Sequence, residues 1–125
     1  MKLHLDRADG RLMVTGYGPG YVALNGTRYN ASILVLPERT EPWAVTRSDQ
    51  LSAAVAQALT ALPIEVLILG TGARLVFPRP GWFSPFAQRG IGLEVMDTRA
   101  ACRTYNILVA EDRKVAAALM IEPVP

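Results

Sequence analysis

The period of apolar positions changes along the chain, and each change marks an element. Tyr21-Val22-Ala23-Leu24 and Thr27-Arg28-Tyr29 are β-prone runs on either side of Asn25-Gly26. Asn-Gly between two such runs predicts a hairpin, because both turn positions need positive φ. Just before it, Val14 to Gly20 carries Gly16, Gly18 and Gly20 around Pro19. Glycines among strands mark a bulge or a close backbone approach. Ser32 to Leu36 predicts another strand, stopped by Pro37; Pro37 to Trp43, with two prolines, predicts a loop.

The period then becomes helical. Leu51, Ala54, Val55, Ala58, Leu59 and Leu62 fall at spacings of three and four, one apolar stripe. This predicts a helix capped by Ser48 or Asp49, running to about Leu62 and ended by Pro63. Ile64 to Leu69 predicts a buried strand with Gly70-Thr71-Gly72 at its C-terminal end. Arg74 to Pro80, holding Pro78 and Pro80, predicts irregular chain. Trp82 to Gln88 predicts a short helix, with Ser84 near its start and Gly90 after its end. Ile91 to Met96 predicts a second buried strand, and Asp97 or Thr98 caps a helix to about Val109. Val115 to Ile121 is a closing apolar strand. Strands alternating with helices after an antiparallel start predict a three-layer α/β domain whose sheet is covered on both faces.

Composition narrows what such a domain can do. The 125 residues suit a single domain spanning 1–125. Half are apolar and 19% are charged, which excludes an intrinsically disordered chain. One His and one Cys exclude zinc sites built from several Cys and His, CxxC redox pairs and intramolecular disulfides. They also leave little for a Ser-His-Asp or Cys-His device. Eleven of the thirteen basic residues are Arg, scattered from Arg7 to Arg113 with no clustered stripe, so no nucleic-acid partner is expected. Asp6, Arg7 and Asp9 interrupt any signal-peptide core. The longest apolar run, Val115 to Ile121, is far short of the ~20 residues a bilayer requires. No membrane span is expected, and the chain reads as cytoplasmic with Cys102 reduced.

Few residues offer chemistry. Gly70-Thr71-Gly72 follows a buried strand, as dinucleotide-binding loops do, and Glu94 stands where a ribose-binding acid would. The pattern then fails: Leu75 occupies the third glycine's place, and Pro78 and Pro80 stand where a helix should open under the phosphate. No cofactor is expected. Cys102 lies on an apolar helix face with Ala101, Tyr105, Leu108 and Val109, which predicts an inert packing thiol. His4 alternates with Leu3 and Leu5 and has no partner at a telling spacing. The densest polar cluster runs from Glu94 to Arg113. Within it, Arg99, Arg103 and Asn106 share one helical face at spacings of four and three, which suits an anion or a partner's carboxylates. The plain alternative is a solvated face with Thr98 as cap and Glu111 or Asp112 pairing with Arg113. Ile107 sits off the apolar stripe, where a contact would make a homodimer.

The segment Gly90 to Leu119, with Leu67-Ile68-Leu69-Gly70-Thr71-Gly72 upstream, resembles a known small-domain family. That family is shared by the mitochondrial complex I assembly factor 3 type, the adipogenesis-associated Mth-domain type and many bacterial proteins. The matching positions are Gly70, Thr71 and Gly72; Glu94, Val95, Met96 and Thr98; Ala101, Thr104, Tyr105 and Asn106; and Glu111 and Arg113. The fit spans about residues 11 to 121. Asp112 departs from the pattern, which has glycine there. The resemblance implies a three-layer fold with a central mixed sheet, and a role in assembling a respiratory complex through protein partners. It does not imply an enzyme.

Two functions follow as expectations. The first is a non-catalytic binding or assembly module acting through protein partners. The second is a small-molecule or anion-binding domain, built at the strand end where open α/β sheets take ligands. Either would draw on Gly70, Thr71, Gly72, Glu94, Thr98, Arg103, Tyr105, Asn106, Glu111 and Arg113. No catalytic residue and no metal ligand is expected. Convergence of these side chains on one pocket beside Gly70 and Gly72 favours a ligand. Satisfaction by each other and by backbone makes them a structural polar network.

Overall fold

A computed structural model describes residues 10–123. His4, with the alternation of Leu3 and Leu5, lies outside the described residues.

The chain begins with three short antiparallel strands, β1 (Val14–Gly18), β2 (Tyr21–Leu24) and β3 (Thr27–Tyr29), in the order β1-β2-β3. The predicted hairpin turn is present: Asn25 has φ 46° and Gly26 φ 88°. The Asn25 side chain fixes the turn further, its Oδ1 accepting from Met13 N at 2.9 Å. The glycine-rich stretch carries the expected irregularity, a register shift between Val14 and Gly16.

β4 (Ile33–Val35) and β5 (Thr40–Pro42) open the main sheet, which β6 (Val66–Gly70), β7 (Gly92–Met96) and β8 (Val115–Leu119) complete. Its order is β5-β4-β8-β6-β7. β6 pairs in parallel with both β7 and β8, while β4 pairs antiparallel with β5 and β8, so the sheet is mixed. β6 and β8 read as unbroken apolar runs because they are buried on both faces. Ile68, Ala117 and Leu119 face one side, and Leu67, Leu69, Ala116 and Ala118 the other.

Two helical layers cover these faces. α1 (Ala53–Thr60) and α2 (Ser84–Gln88) bury Ala56, Leu59 and Phe86 against the second face, joined by Trp82 from a 3-10 turn at Pro80–Trp82. The Trp82 and Phe86 rings lie 5.1 Å apart. α3 (Thr98–Ala110) covers the first face together with the three-stranded sheet, burying Ala101, Cys102, Tyr105 and Val109 beside Val14, Tyr17, Val22 and Leu24. Each fully buried Leu, Val or Phe contributes about 1.5–3 kcal/mol relative to exposure.

Four expectations need correction. The segment Pro37 to Trp43 contains β5; Pro42 is tolerated because β5 is an edge strand. The first helix starts later than expected, at Ala53. The Gln50 Oε1 accepts from Thr46 N and Arg47 N at 2.6 and 3.0 Å, closing a 3-10 turn at Ser48–Gln50, and Ser52 then caps α1 by accepting from Val55 N. The buried stripe also differs: Ala54 and Ala58 are exposed while Ala56 and Thr60 are buried, so it runs through Ala56, Leu59 and Thr60, with Val55 half-buried beside them. The fourth concerns β7, which forms the opposite sheet edge and is only partly buried.

Candidate functional site

The sequence-predicted site residues fall into three separate groups. The first is at the C-terminal end of β6. Gly70 is required there by close packing: a Cβ would lie 3.1 Å from Ala101 Cβ, Leu119 Cδ2 and Thr98 Cα. Gly72 has φ +94°, and a Cβ would strike the Glu122 carboxylate. Strand ends of this kind bind phosphates when their backbone N–H groups are free. Here they are taken. Thr71 N donates to Met96 O at 2.9 Å, Gly72 N to Thr98 Oγ1 at 2.8 Å and Ala73 N to Glu122 Oε1 at 3.1 Å. Thr98 completes the junction: its hydroxyl donates to Met120 O at 2.8 Å and its N–H to Gly72 O at 2.9 Å.

The neighbouring helix end gives an anion no better reception. Asp97 caps α3, its Oδ1 accepting from Ala100 N at 2.9 Å. The Asp97 carboxylate on Ala100 N and the Glu122 carboxylate on Ala73 N put negative charge at this helix start and strand end. A cavity of about 270 Å³ opens beside this junction, lined by Gly18, Gly20, Gly72, Thr98, Arg99 and Glu122 among others. A larger one of about 660 Å³ lies on its other side, between Arg47, Arg74 and Val76.

The second group, on α3, points at the N-terminal sheet. Asn106 is buried, at 1% exposure, and so is not on the polar face that its spacing from Arg99 and Arg103 suggested. Its Oδ1 accepts from Val14 N and its Nδ2 donates to Val14 O, both at 2.8 Å. Tyr105 OH donates to Leu12 O at 2.9 Å. Burial pushes the Tyr105 hydroxyl pKa above its ordinary value. Arg103 Nη1 donates to Tyr17 OH at 2.7 Å. Burial likewise pushes the Cys102 thiol up to about 12, against a weaker opposing pull from Arg103.

The third group is exposed and dispersed. Glu94 lies on β7, and Glu111 caps the C-terminus of α3. Arg113 does not pair with Glu111 or Asp112. Its Nε donates to Glu65 Oε1 at 2.6 Å, and this bond, with a second from Lys114 N, holds the Glu65 carboxyl below its usual range. Asp112 instead receives Arg11 Nη1 at 2.7 Å. Among the described residues, no group of three or more His, Cys, Asp or Glu could hold a metal ion. No helix there is long and apolar enough to cross a membrane.

The candidate residues thus do not converge on one pocket. Those of the first two groups are engaged with backbone and with each other. Tyr17, Glu65 and Glu122, which complete these contacts, carry no sequence signal of their own, and the trio Leu75, Val76 and Phe77 is exposed. The trio had a visible signal, three apolar residues in an irregular segment ahead of two prolines.

A family model described as a protein of unknown function (DUF498/DUF598) matches residues 14–120. The chain is 35% identical over 118 residues to NADH dehydrogenase [ubiquinone] 1 alpha subcomplex assembly factor 3 of Danio rerio, covering 93% of this chain and 68% of that protein. A crystal structure of a Bordetella parapertussis protein superposes with a TM-score of 0.86 at 40% identity, covering 93% of this chain and all of that one. A solution structure from Bordetella pertussis, a Mth938-like domain, superposes with a TM-score of 0.80 at 35% identity, covering 98% and 94%.

Proposed function

The chain belongs to the DUF498/DUF598 family, and from that premise we infer that it is a protein-binding assembly module working in the cytoplasm. The observation that carries this reading is the exposed run Ala73–Phe77. Leu75, Val76 and Phe77 stand 50%, 41% and 66% exposed, beside a strand end whose ligand-binding groups are already engaged. Contiguous exposed apolar side chains on a stable domain mark an interaction site. The kinship with a complex I assembly factor supports the same reading. Small-molecule binding at Gly70-Thr71-Gly72 lacks such support, because the amides that would hold an anion donate to Met96, Thr98 and Glu122.

Affinity capture of the tagged chain from its own host, with mass spectrometry, tests the proposal. A specific protein recovered reproducibly and in stoichiometric amount is the expected result. Recovery of chaperones alone overturns it.

A further inference from the structure

We propose that the strap from Arg74 to Arg79 is the docking edge for an extended, acidic segment of a partner protein that carries apolar anchors. The inference rests on the protein-binding reading above and supplies its surface and chemistry. Thr71 anchors the strap, its hydroxyl donating to Arg74 O at 2.6 Å and accepting from Val76 N at 3.1 Å. Two prolines stiffen it. Phe77 precedes Pro78 and Arg79 precedes Pro80, positions held in extended conformation, and Arg79 has φ −61° and ψ 151°. Leu75–Arg79 belong to no helix, turn or ladder. Among the described residues, the N–H groups of Leu75 and Phe77 and the carbonyls of Leu75, Val76 and Phe77 have no hydrogen-bond partner. A stretch tethered by Thr71 at one end and restrained by two prolines at the other, with open hydrogen-bonding groups between, is the kind of edge that an added strand completes at low ordering cost.

Charge selects the occupant. Arg74 and Arg79 flank the apolar trio, and neither forms an ion pair among the described residues. Arg74 also lines the cavity of about 660 Å³ beside Val76, which offers room for a partner's side chain. Glu122 lines the same cavity but accepts from Ala73 N, and with Arg47 also in the wall the two unpaired arginines leave cations in excess, which call for carboxylates on the partner. These cations also disfavour a second copy of the same strap, which would bring like charges together. An anionic lipid surface shares the charge preference, but hydrocarbon leaves the open backbone groups unpaired where a peptide satisfies them.

The test pans displayed random peptides of about a dozen residues against the full chain. Selected peptides are then measured by titration against wild type, Phe77→Ser and the Arg74→Glu/Arg79→Glu double variant. All substituted positions are exposed, and unchanged melting shows that the variants fold. Acidic peptides with aromatic or aliphatic anchors are expected. Each variant should weaken them about tenfold or more, and the same peptides with Lys in place of Asp and Glu should bind the charge-reversed variant better than wild type. Selection of basic peptides, no selection, or binding indifferent to these substitutions overturns the proposal. So does Phe77-dependent sedimentation with phosphatidylglycerol-containing vesicles in place of peptide binding, or self-association lost in Phe77→Ser. A host protein captured equally by wild type and Phe77→Ser overturns the strap and leaves the protein-binding reading intact.

Discussion

Asn106 on α3 hydrogen-bonds both backbone groups of Val14, 92 residues earlier, through its side-chain amide. A carboxamide offers one acceptor and one donor in the same spacing as a peptide group, so Asn106 stands in for a neighbouring strand at the start of β1. Asn106→Ala leaves a buried N–H and a buried C=O unpaired, each costing about 1–3 kcal/mol. Asn106→Asp keeps the acceptor but turns an oxygen toward Val14 O. We expect both to lower unfolding free energy in urea by about 2–4 kcal/mol. A loss below ~1 kcal/mol in both would show that the pairing does not hold the two layers together.

Thr98 makes the complementary test at the strand end. Its hydroxyl links Gly72 N to Met120 O, so Thr98→Val keeps the shape and removes both bonds. The expected loss is about 1–3 kcal/mol, with partner capture unchanged once the variant is assayed well below its melting temperature. A variant as stable as wild type would return this junction to the list of ligand sites.

Asp112 occupies a left-handed conformation, φ +60°, at the C-terminal end of α3. Glycine, expected there from the resemblance, would take this conformation without strain. Asp112→Gly trades an exposed ion pair with Arg11 for relief of the backbone, and the two effects are each about 1 kcal/mol or less. Melting should therefore move little. Asp112→Val, β-branched at positive φ, should cost about 1–3 kcal/mol. Equal melting temperatures for the two variants would contradict the conformational account.

Cys102 should resist alkylation in the native state. Its thiol titrates near 9 when unfolded and is pushed up to about 12 by burial when folded. The folded state therefore keeps a proton that the unfolded state releases above pH 9. Stability attached to this group is fully present below pH 9 and is lost as pH rises toward 12. Tyr105, raised in the same sense, adds to the decline. Cys102→Ala should flatten that alkaline slope, measured as urea midpoints across the range. Iodoacetamide labelling of the folded protein at pH 8, at the rate seen in urea, would contradict the burial argument.

Much of this architecture was legible in the sequence, for identifiable reasons. Asn25-Gly26 announced its turn because few other residues take two positive φ angles in succession. The strands β6 and β8 announced their central places through unbroken apolar runs. Asn106 has a polar side chain at an apolar position: it lies four residues after Cys102 and three before Val109, both buried, and is buried with them. The α1 stripe is hard to place from sequence because alanine, at home on either face, carries little phase information: Ala56 is buried while Ala54 and Ala58 are exposed. Gly72, Thr98 and Arg113 are legible as residues but not as bonds, since Gly72 to Thr98 and Arg113 to the unmarked Glu65 are contacts that only the fold creates. The exposed strap showed only as three apolar residues ahead of two prolines, a pattern that does not separate a buried loop from an exposed one.

The position of β8 has a consequence for how the protein is made. It is the last of the described strands in the chain, yet it lies between β4 and β6. Without it the main sheet is two fragments, β5-β4 and β6-β7, with no hydrogen-bonded seam between them. During synthesis the first layers therefore emerge with their apolar faces open, and the sheet closes only once residue 119 has left the ribosome. Closure of the sheet waits on one alanine-rich strand, and a ribosome stalled before residue 115 holds a chain that lacks the strand joining its two halves.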